Sequence, residues 1–169
     1  MQSKEDLEKE YAHADPWGYK TRDEDLRRRE VVSGIANAYM QNPRFTLDIA
    51  CGEGFITEAL NGDVMYGYEL SDAAASRWPK WLLRYSHDAK ISNFDLVVCT
   101  GALYGHYDWQ SMVDIIKKTA CNTVVTCAIK DWEVPAAIKQ IPGNQVFEAE
   151  FQYNPEDKRY IQKLRVFKL

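Results

Sequence analysis

Two acids bracket a pair of glycines in this chain: Asp48, then Gly52 and Gly54, then Glu69. Asp48 falls in the apolar run Phe45-Thr46-Leu47-Asp48-Ile49-Ala50, which reads as a buried strand, and Cys51-Gly52-Glu53-Gly54 breaks it. Helical spacing resumes at Phe55 and runs to Leu60. A strand, a glycine turn and a helix start form a cradle for a nucleotide-like ligand. Glycine allows close backbone approach, and the helix start offers unpaired N–H groups. Glu69 closes the next strand candidate, Val64–Glu69, where an acid is placed to bind a ribose diol. A dinucleotide fingerprint would need a third small residue where Thr57 stands, and no Gly-Lys-Ser/Thr follows to make a phosphate loop.

The other chemistry-bearing residues lie on segments expected to be loops. Thr100-Gly-Ala-Leu-Tyr104-Gly-His106-Tyr107 follows the buried strand Phe94–Thr100, and Lys130-Asp131-Trp132 follows the strand Asn122–Ile129. His106 is the first candidate for a proton acceptor because an unperturbed histidine titrates near working pH. His13, beside an aromatic arm, is the second, and His87 the third. Trp17, Tyr19, Tyr104, Tyr107, Trp109 and Trp132 form an aromatic set, suited to stacking on sugar rings or attracting ammonium groups. Trp109 and Trp132 also read as plugs at helix starts. Four cysteines are scattered at 51, 99, 121 and 127 without metal-ligand spacing, so no metal site is expected.

The elements that must position these groups follow from periodicity and caps. Residues 1–20 are expected to be an N-terminal arm, charged at first and then aromatic and irregular from Tyr11 to Lys20. A single domain is expected over 21–169. Thr21-Arg-Asp-Glu24 reads as a capping box starting a helix to about Gln41, with Val31, Val32, Ile35, Ala36 and Tyr39 inward. A short helix 54–60 is expected to end at Asn61-Gly62, another runs Asp72–Arg77, and Lys80–Tyr85 is a third strand. Asp108 caps a helix Trp109–Ala120, and Asp131 starts a last helix that breaks at Pro142-Gly143. Gln145–Tyr153 and Arg159–Leu169 alternate about Asn154-Pro155-Glu156-Asp157, which predicts an antiparallel hairpin. The result is an α/β fold, a mostly parallel sheet with an antiparallel C-terminal edge and helices on both faces.

Composition is ordinary for a globular chain of 169 residues: 46% apolar, 27% charged, net charge −4. There is no strongly basic patch, so nucleic acid is not the expected partner. Arg27-Arg28-Arg29 follows Asp23, Glu24 and Asp25, and reads as a solvated, self-compensated helix face. No signal peptide opens the chain and the apolar runs are too short to span a bilayer, which points to the cytoplasm and to a monomer or homodimer away from membranes.

Asp48-Ile-Ala50-Cys-Gly52-Glu-Gly54 resembles the first motif of class I S-adenosylmethionine-dependent methyltransferases, with Ala50 in place of the first glycine. The resemblance covers nearly the whole chain and implies their Rossmann-like sheet, with S-adenosylmethionine as cofactor and S-adenosylhomocysteine as product. It implies cofactor contacts from Asp48, Ala50, Cys51, Gly52 and Gly54 of the loop, and from Glu69 and Leu70 after the second strand. Asp88 would bond the adenine amino group and Ala89 would offer its N–H to the ring, while Tyr11 and Trp17 of the arm would help close the site. His106 and Tyr104 would serve catalysis, and Tyr19, Tyr107, Trp132 and His13 the acceptor.

More narrowly, Asp15-Pro-Trp-Gly-Tyr, the arginine-rich helix and Leu103-Tyr104 look like the nodulation N-methyltransferase group. This implies methyl transfer to an amine or hydroxyl of a small acceptor, sugar-like or an amine metabolite. The chain departs from that group at Gly101, where an acid is common, and at Gly105-His106. An RNA or protein methyltransferase and a non-catalytic binder of the same cofactor are the alternatives.

Overall fold

The computed structural model describes residues 1–86, 88–89, 91–156 and 160–169. His87, Asp157 and Arg159 of the expected loops and hairpin lie outside the described residues. In chain order the elements are α1 (Lys4–Glu10), α2 (Asp23–Tyr39), β1 (Phe45–Ile49), β2 (Val64–Tyr68), α3 (Asp72–Ala75), β3 (Leu82–Arg84), β4 (Phe94–Thr100), α4 (Trp109–Thr119), β5 (Ala120–Ile129), α5 (Pro135–Ile138), β6 (Asn144–Phe151) and β7 (Gln162–Lys168).

The seven strands lie in the order β3-β2-β1-β4-β5-β7-β6. From β3 to β5 all neighbours are parallel. β7 runs antiparallel to β5, and β6 antiparallel to β7 at the outer edge. The chain steps outward from β1 to β2 and β3, then crosses back to β4 on the other side of β1. That reversal opens a crevice at the carboxyl ends of β1 and β4.

β4 is apolar on both faces because both are covered, whereas β1 turns Leu47 and Ile49 to one face and buries the polar Thr46 and Asp48 on the other. Leu47, Ile49 and Val97 pack with Val113, Ile115 and Ile116 of α4. On the opposite face Leu96, Val98, Val125 and Leu164 meet Val32 and Ala36 of α2. Asp108 caps α4 by accepting from the Ser111 N–H at 3.2 Å, and Lys117 and Lys118 complement its C-terminal dipole. Truncating the fully buried Ile115 to Ala would cost about 2–5 kcal/mol through the cavity left behind.

Four local expectations need correction. The capping box at Thr21 does not form: α2 begins at Asp23 without a side-chain cap, and the Thr21 hydroxyl donates to the Gly18 carbonyl at 3.1 Å. A capping box forms instead at the start of α1, between Ser3 and Asp6. The helix after the glycine turn shrinks to a 3₁₀ turn, Thr57–Ala59, which leaves through an extended Leu60. Gly62 is therefore no left-handed cap; a Cβ there would lie 2.5 Å from Met65 Sδ and 2.8 Å from Thr46 Oγ1. Asp131 starts no helix. Trp132 and Glu133 turn back onto the Ile129 carbonyl, and α5 begins only where Pro135 supplies a preset first position.

Candidate functional site

The glycine turn leaves β1 through three residues of left-handed backbone, Ala50 (φ +57°), Gly52 (φ +55°) and Gly54 (φ +84°). Such a conformation costs a non-glycine residue about 1–2 kcal/mol. At Ala50 it is held by the N–H bond to the Tyr68 carbonyl at 2.7 Å. Alanine thus stands where the expected motif has glycine and still takes the left-handed backbone.

Asp48 points from β1 beneath this turn and is 1% exposed. Its Oδ2 accepts from the Thr57 hydroxyl at 2.6 Å, while its Oδ1 has no hydrogen-bond partner among the described residues. Burial pushes its carboxyl up to about 7, opposed by the Thr57 hydrogen bond. Thr57, the residue that spoils a dinucleotide fingerprint, is therefore the support of the acid. Glu69 at the end of β2 is also buried, accepting at Oε2 from the Gly52 N–H (3.0 Å) and at Oε1 from the Ser71 N–H (2.9 Å). Its desolvation raises its pKa despite those bonds.

Residues 1–22 close over the turn. Glu8 of α1 accepts from the Asp72 and Ala73 N–H groups at the start of α3. Asp15 N–H donates to Glu53 Oε1 at 3.0 Å, and Arg77 reaches both Glu53 (2.9 Å) and the Tyr11 carbonyl (2.8 Å). The Tyr11 hydroxyl occupies the place a Cβ on Gly52 would need. From Tyr11 a ring series runs through Trp17 (5.0 Å) and Tyr19 (5.6 Å) to Phe55 (6.1 Å).

Between arm, turn and the ends of β1, β2 and β4 lies a cavity of about 1060 Å³, its open mouth included. Of the residues expected at a site, Tyr11, Trp17, Tyr19, Asp48, Ala50, Cys51, Gly52, Glu69, Leu70 and Tyr107 line it. Burial raises the Tyr107 hydroxyl to about 12 and keeps the Cys51 thiol protonated.

Other expected residues stand elsewhere. Gly54 is off the wall and is needed for its backbone angle. Asp88 and His13 are exposed, and Ala89 is partly buried against the core. His106 is exposed outside the wall, its ring 4.2 Å from that of Tyr107. Tyr104 is buried and its hydroxyl accepts from the Ile129 N–H at 2.9 Å, which ties the loop after β4 to the end of β5. Trp132 lies edge-on to Tyr104 and remains 50% exposed.

The arginine triplet also differs from expectation. Arg27 is exposed, but Arg28 is buried on the cavity wall, paired with Asp25 at 3.1 Å. The signal is present in the spacing: 25, 28, 32 and 36 recur on one helical face, the face on which Val32 and Ala36 turn inward. Thr57, Asp15 and Glu53 are further contributors that motif reading passed over, because each acts through a contact distant in sequence.

No protein-family model and no curated protein sequence matches the chain. Solved structures do. The N-methyltransferase NodS from Bradyrhizobium japonicum WM9, in complex with S-adenosyl-L-homocysteine, superposes with TM-score 0.81 at 19% identity over 99% of this chain and 98% of that one. The magnesium protoporphyrin IX methyltransferase ChlM from Synechocystis PCC 6803 gives 0.68 at 13% identity, covering 98% of each chain. The 1,6-didemethyltoxoflavin-N1-methyltransferase of Burkholderia thailandensis gives 0.71 at 13% identity over 98% of this chain and 86% of that one. The fold is that of the class I methyltransferases.

Proposed function

We propose that the protein is an S-adenosylmethionine-dependent methyltransferase acting on an amine or hydroxyl of a small acceptor, a sugar-like compound or an amine metabolite. The observation that carries the reading is Asp48: a buried carboxylate oxygen without a partner among the described residues, beneath a glycine turn and across from Glu69, in a cavity of methyltransferase fold. An orphaned buried acceptor of this kind suits a cationic ligand, and the cofactor carries an ammonium and a sulfonium.

The residues present fit that cofactor. Glu69 spends one lone pair of each oxygen on the Gly52 and Ser71 N–H groups and keeps others for a ribose diol. Ala50, Cys51 and Gly52 present backbone at the turn, and Leu70 an apolar side chain at the mouth. Asp88 and Ala89 lie off the wall, so an adenine role for them would need the loop after β3 to move inward.

When bound, S-adenosylmethionine supplies an electrophilic methyl for in-line displacement. The chain's own part is to exclude water and to aim the acceptor lone pair, which provides much of the rate in such a transfer. Trp17 and Tyr11 cover the turn, and Tyr19 and Tyr107 face the cavity as acceptor contacts. Tyr107 holds its proton and can donate a hydrogen bond without acting as a base. The acid-rich wall, with Asp15, Asp48, Glu53, Glu69 and Asp108 against Lys20 and Arg28, favours a small acceptor over RNA.

Incubation with S-adenosylmethionine and a panel of amines and amino sugars, read by mass spectrometry, tests the reading. Expected is an acceptor heavier by one CH₂ together with S-adenosylhomocysteine. Cofactor binding with no product across amine, hydroxyl and sugar panels would instead support the non-catalytic binder.

A further inference from the structure

Gly52 is held from two directions by side chains that belong to different elements. Its N–H donates to Glu69 at the end of β2 (3.0 Å), and its carbonyl accepts from the Trp78 indole N–H at 2.7 Å. The Cys51 thiol reaches the same carbonyl only weakly, at 3.9 Å. Gly52 is buried, and Trp78 stands half-buried just past α3. Trp78 forms no part of the cavity wall; it lines a separate open groove with Pro79 and Leu82. The indole therefore meets the turn from outside the cavity.

The contact is built into β2. Gly67 lies inside that strand without a left-handed backbone, so its own φ does not call for glycine. A Cβ there would lie 2.8 Å from Cys51 Sγ and 2.9 Å from the Trp78 ring. Glycine inside a strand weakens it and marks a close approach, and here the approaching groups are the turn and the indole. The residue before Trp78 serves the next position of the turn. Arg77 donates to Glu53 Oε1 at 2.9 Å and to the Tyr11 carbonyl at 2.8 Å. Two neighbouring side chains thus fasten two neighbouring turn residues, and Arg77 fastens the arm as well.

Glycine takes either sign of φ at little cost, so Gly52 at φ +55° has other backbone paths open to it. Hydrogen bonds on both of its peptide groups close those paths. We propose that Trp78 is a positioning residue: its indole N–H holds the Gly52 carbonyl and keeps the turn in the path that forms the cavity wall. Trp78 thereby sets the affinity for S-adenosylmethionine without touching it. The inference rests on the methyltransferase reading.

The test variant is Trp78→Phe, which keeps an aromatic ring and removes the donor. Calorimetry well below the melting temperature should show about a tenfold loss of affinity for S-adenosylhomocysteine, the scale for a buried carbonyl left without its donor. Ile115→Val, a core change on α4 away from the turn, should lower the melting temperature and leave affinity unchanged. It separates positioning from general destabilisation. Wild-type protein gives a second reading that needs no folded variant. The Trp78 indole N–H, assigned by NMR, should shift and exchange more slowly when S-adenosylhomocysteine is added. A folded Trp78→Phe with wild-type affinity, a loss matched by Ile115→Val, or an indole signal unmoved by saturating ligand overturns the proposal. Wild type that does not bind S-adenosylhomocysteine overturns the cofactor reading and this inference with it.

Discussion

The Gly52 N–H donates to Glu69 Oε2 at 3.0 Å, so the glycine turn after β1 is fastened to the acid that ends β2. The second oxygen of Glu69 fastens the Ser71 N–H, which begins α3. One buried carboxylate thus sets the spacing of two segments and still faces the cavity. Glu69→Ala leaves two N–H groups without their acceptor. It should lower the melting temperature and weaken S-adenosylhomocysteine binding by about 10- to 100-fold, the range for hydrogen bonds to a charged group. Unchanged affinity by calorimetry in a folded variant removes Glu69 from the site.

Gly52 is crowded by the arm. Gly52→Ala places a methyl on the Tyr11 hydroxyl at a residue with φ +55°, so it should loosen the arm and weaken cofactor binding. Tyr11→Phe removes the atom struck first. A double-mutant cycle on affinity should show a coupling of about 0.5–3 kcal/mol, with Tyr11→Phe relieving part of the loss. Additive effects would mean that the backbone angle alone decides the cost.

Much of this framework was legible in the sequence. The buried run Phe94–Thr100 and the helix capped by Asp108 carry their signals locally, and both appear where periodicity places them. The acid–glycine–acid spacing likewise depends on strand and turn lengths that residues within each element determine. What was not legible depends on distant partners. Glu53 reads as one acid of the glycine turn, and only the docked arm and Arg77 give it partners, the Asp15 N–H and a guanidinium. Arg28 was hidden by its charged neighbours. His106 is local in sequence to a cavity residue, Tyr107, yet the turn through Gly105 carries its ring outward.

Tyr11, Trp17 and Tyr19 of the arm line the cavity, and we propose that the arm gates it. Hydrogen exchange in residues 11–20 should slow when S-adenosylhomocysteine is added. Glu53→Gln, which weakens the bonds to the Asp15 N–H and to Arg77, should speed it. Equal exchange in all three states would show that the arm does not gate the site.

Asp48 makes a pH prediction. Folding raises its pKa from 3.8 to about 7, so the native state holds a proton that the unfolded chain releases. Its contribution to stability is fully present below the unfolded value, falls as pH rises between the two, and is flat above about 7. Asp48→Asn should flatten the melting temperature across that window. A cationic ligand favours the ionised form, so S-adenosylmethionine should bind more tightly as pH passes upward through 7 and should release a proton. Proton uptake on binding, measured in buffers of different ionisation enthalpy, would place Asp48 away from the ligand's positive groups.

His106→Ala decides the role of the loop histidine. Its ring lies outside the wall, so turnover should change by less than about threefold; a general base would cost about 10²-fold or more. A loss of that size, with cofactor affinity unchanged, restores His106 as the proton acceptor and requires the loop after β4 to turn inward.

On the proposed function, the cavity between the glycine turn, Glu69 and the arm binds S-adenosylmethionine. Calorimetric titration of wild type, Asp48→Asn and Glu69→Ala with S-adenosylhomocysteine tests it most directly. One site per chain is expected for wild type, with clearly weaker binding for both variants. No binding heat for folded wild-type protein, or equal affinity in all three, would contradict it.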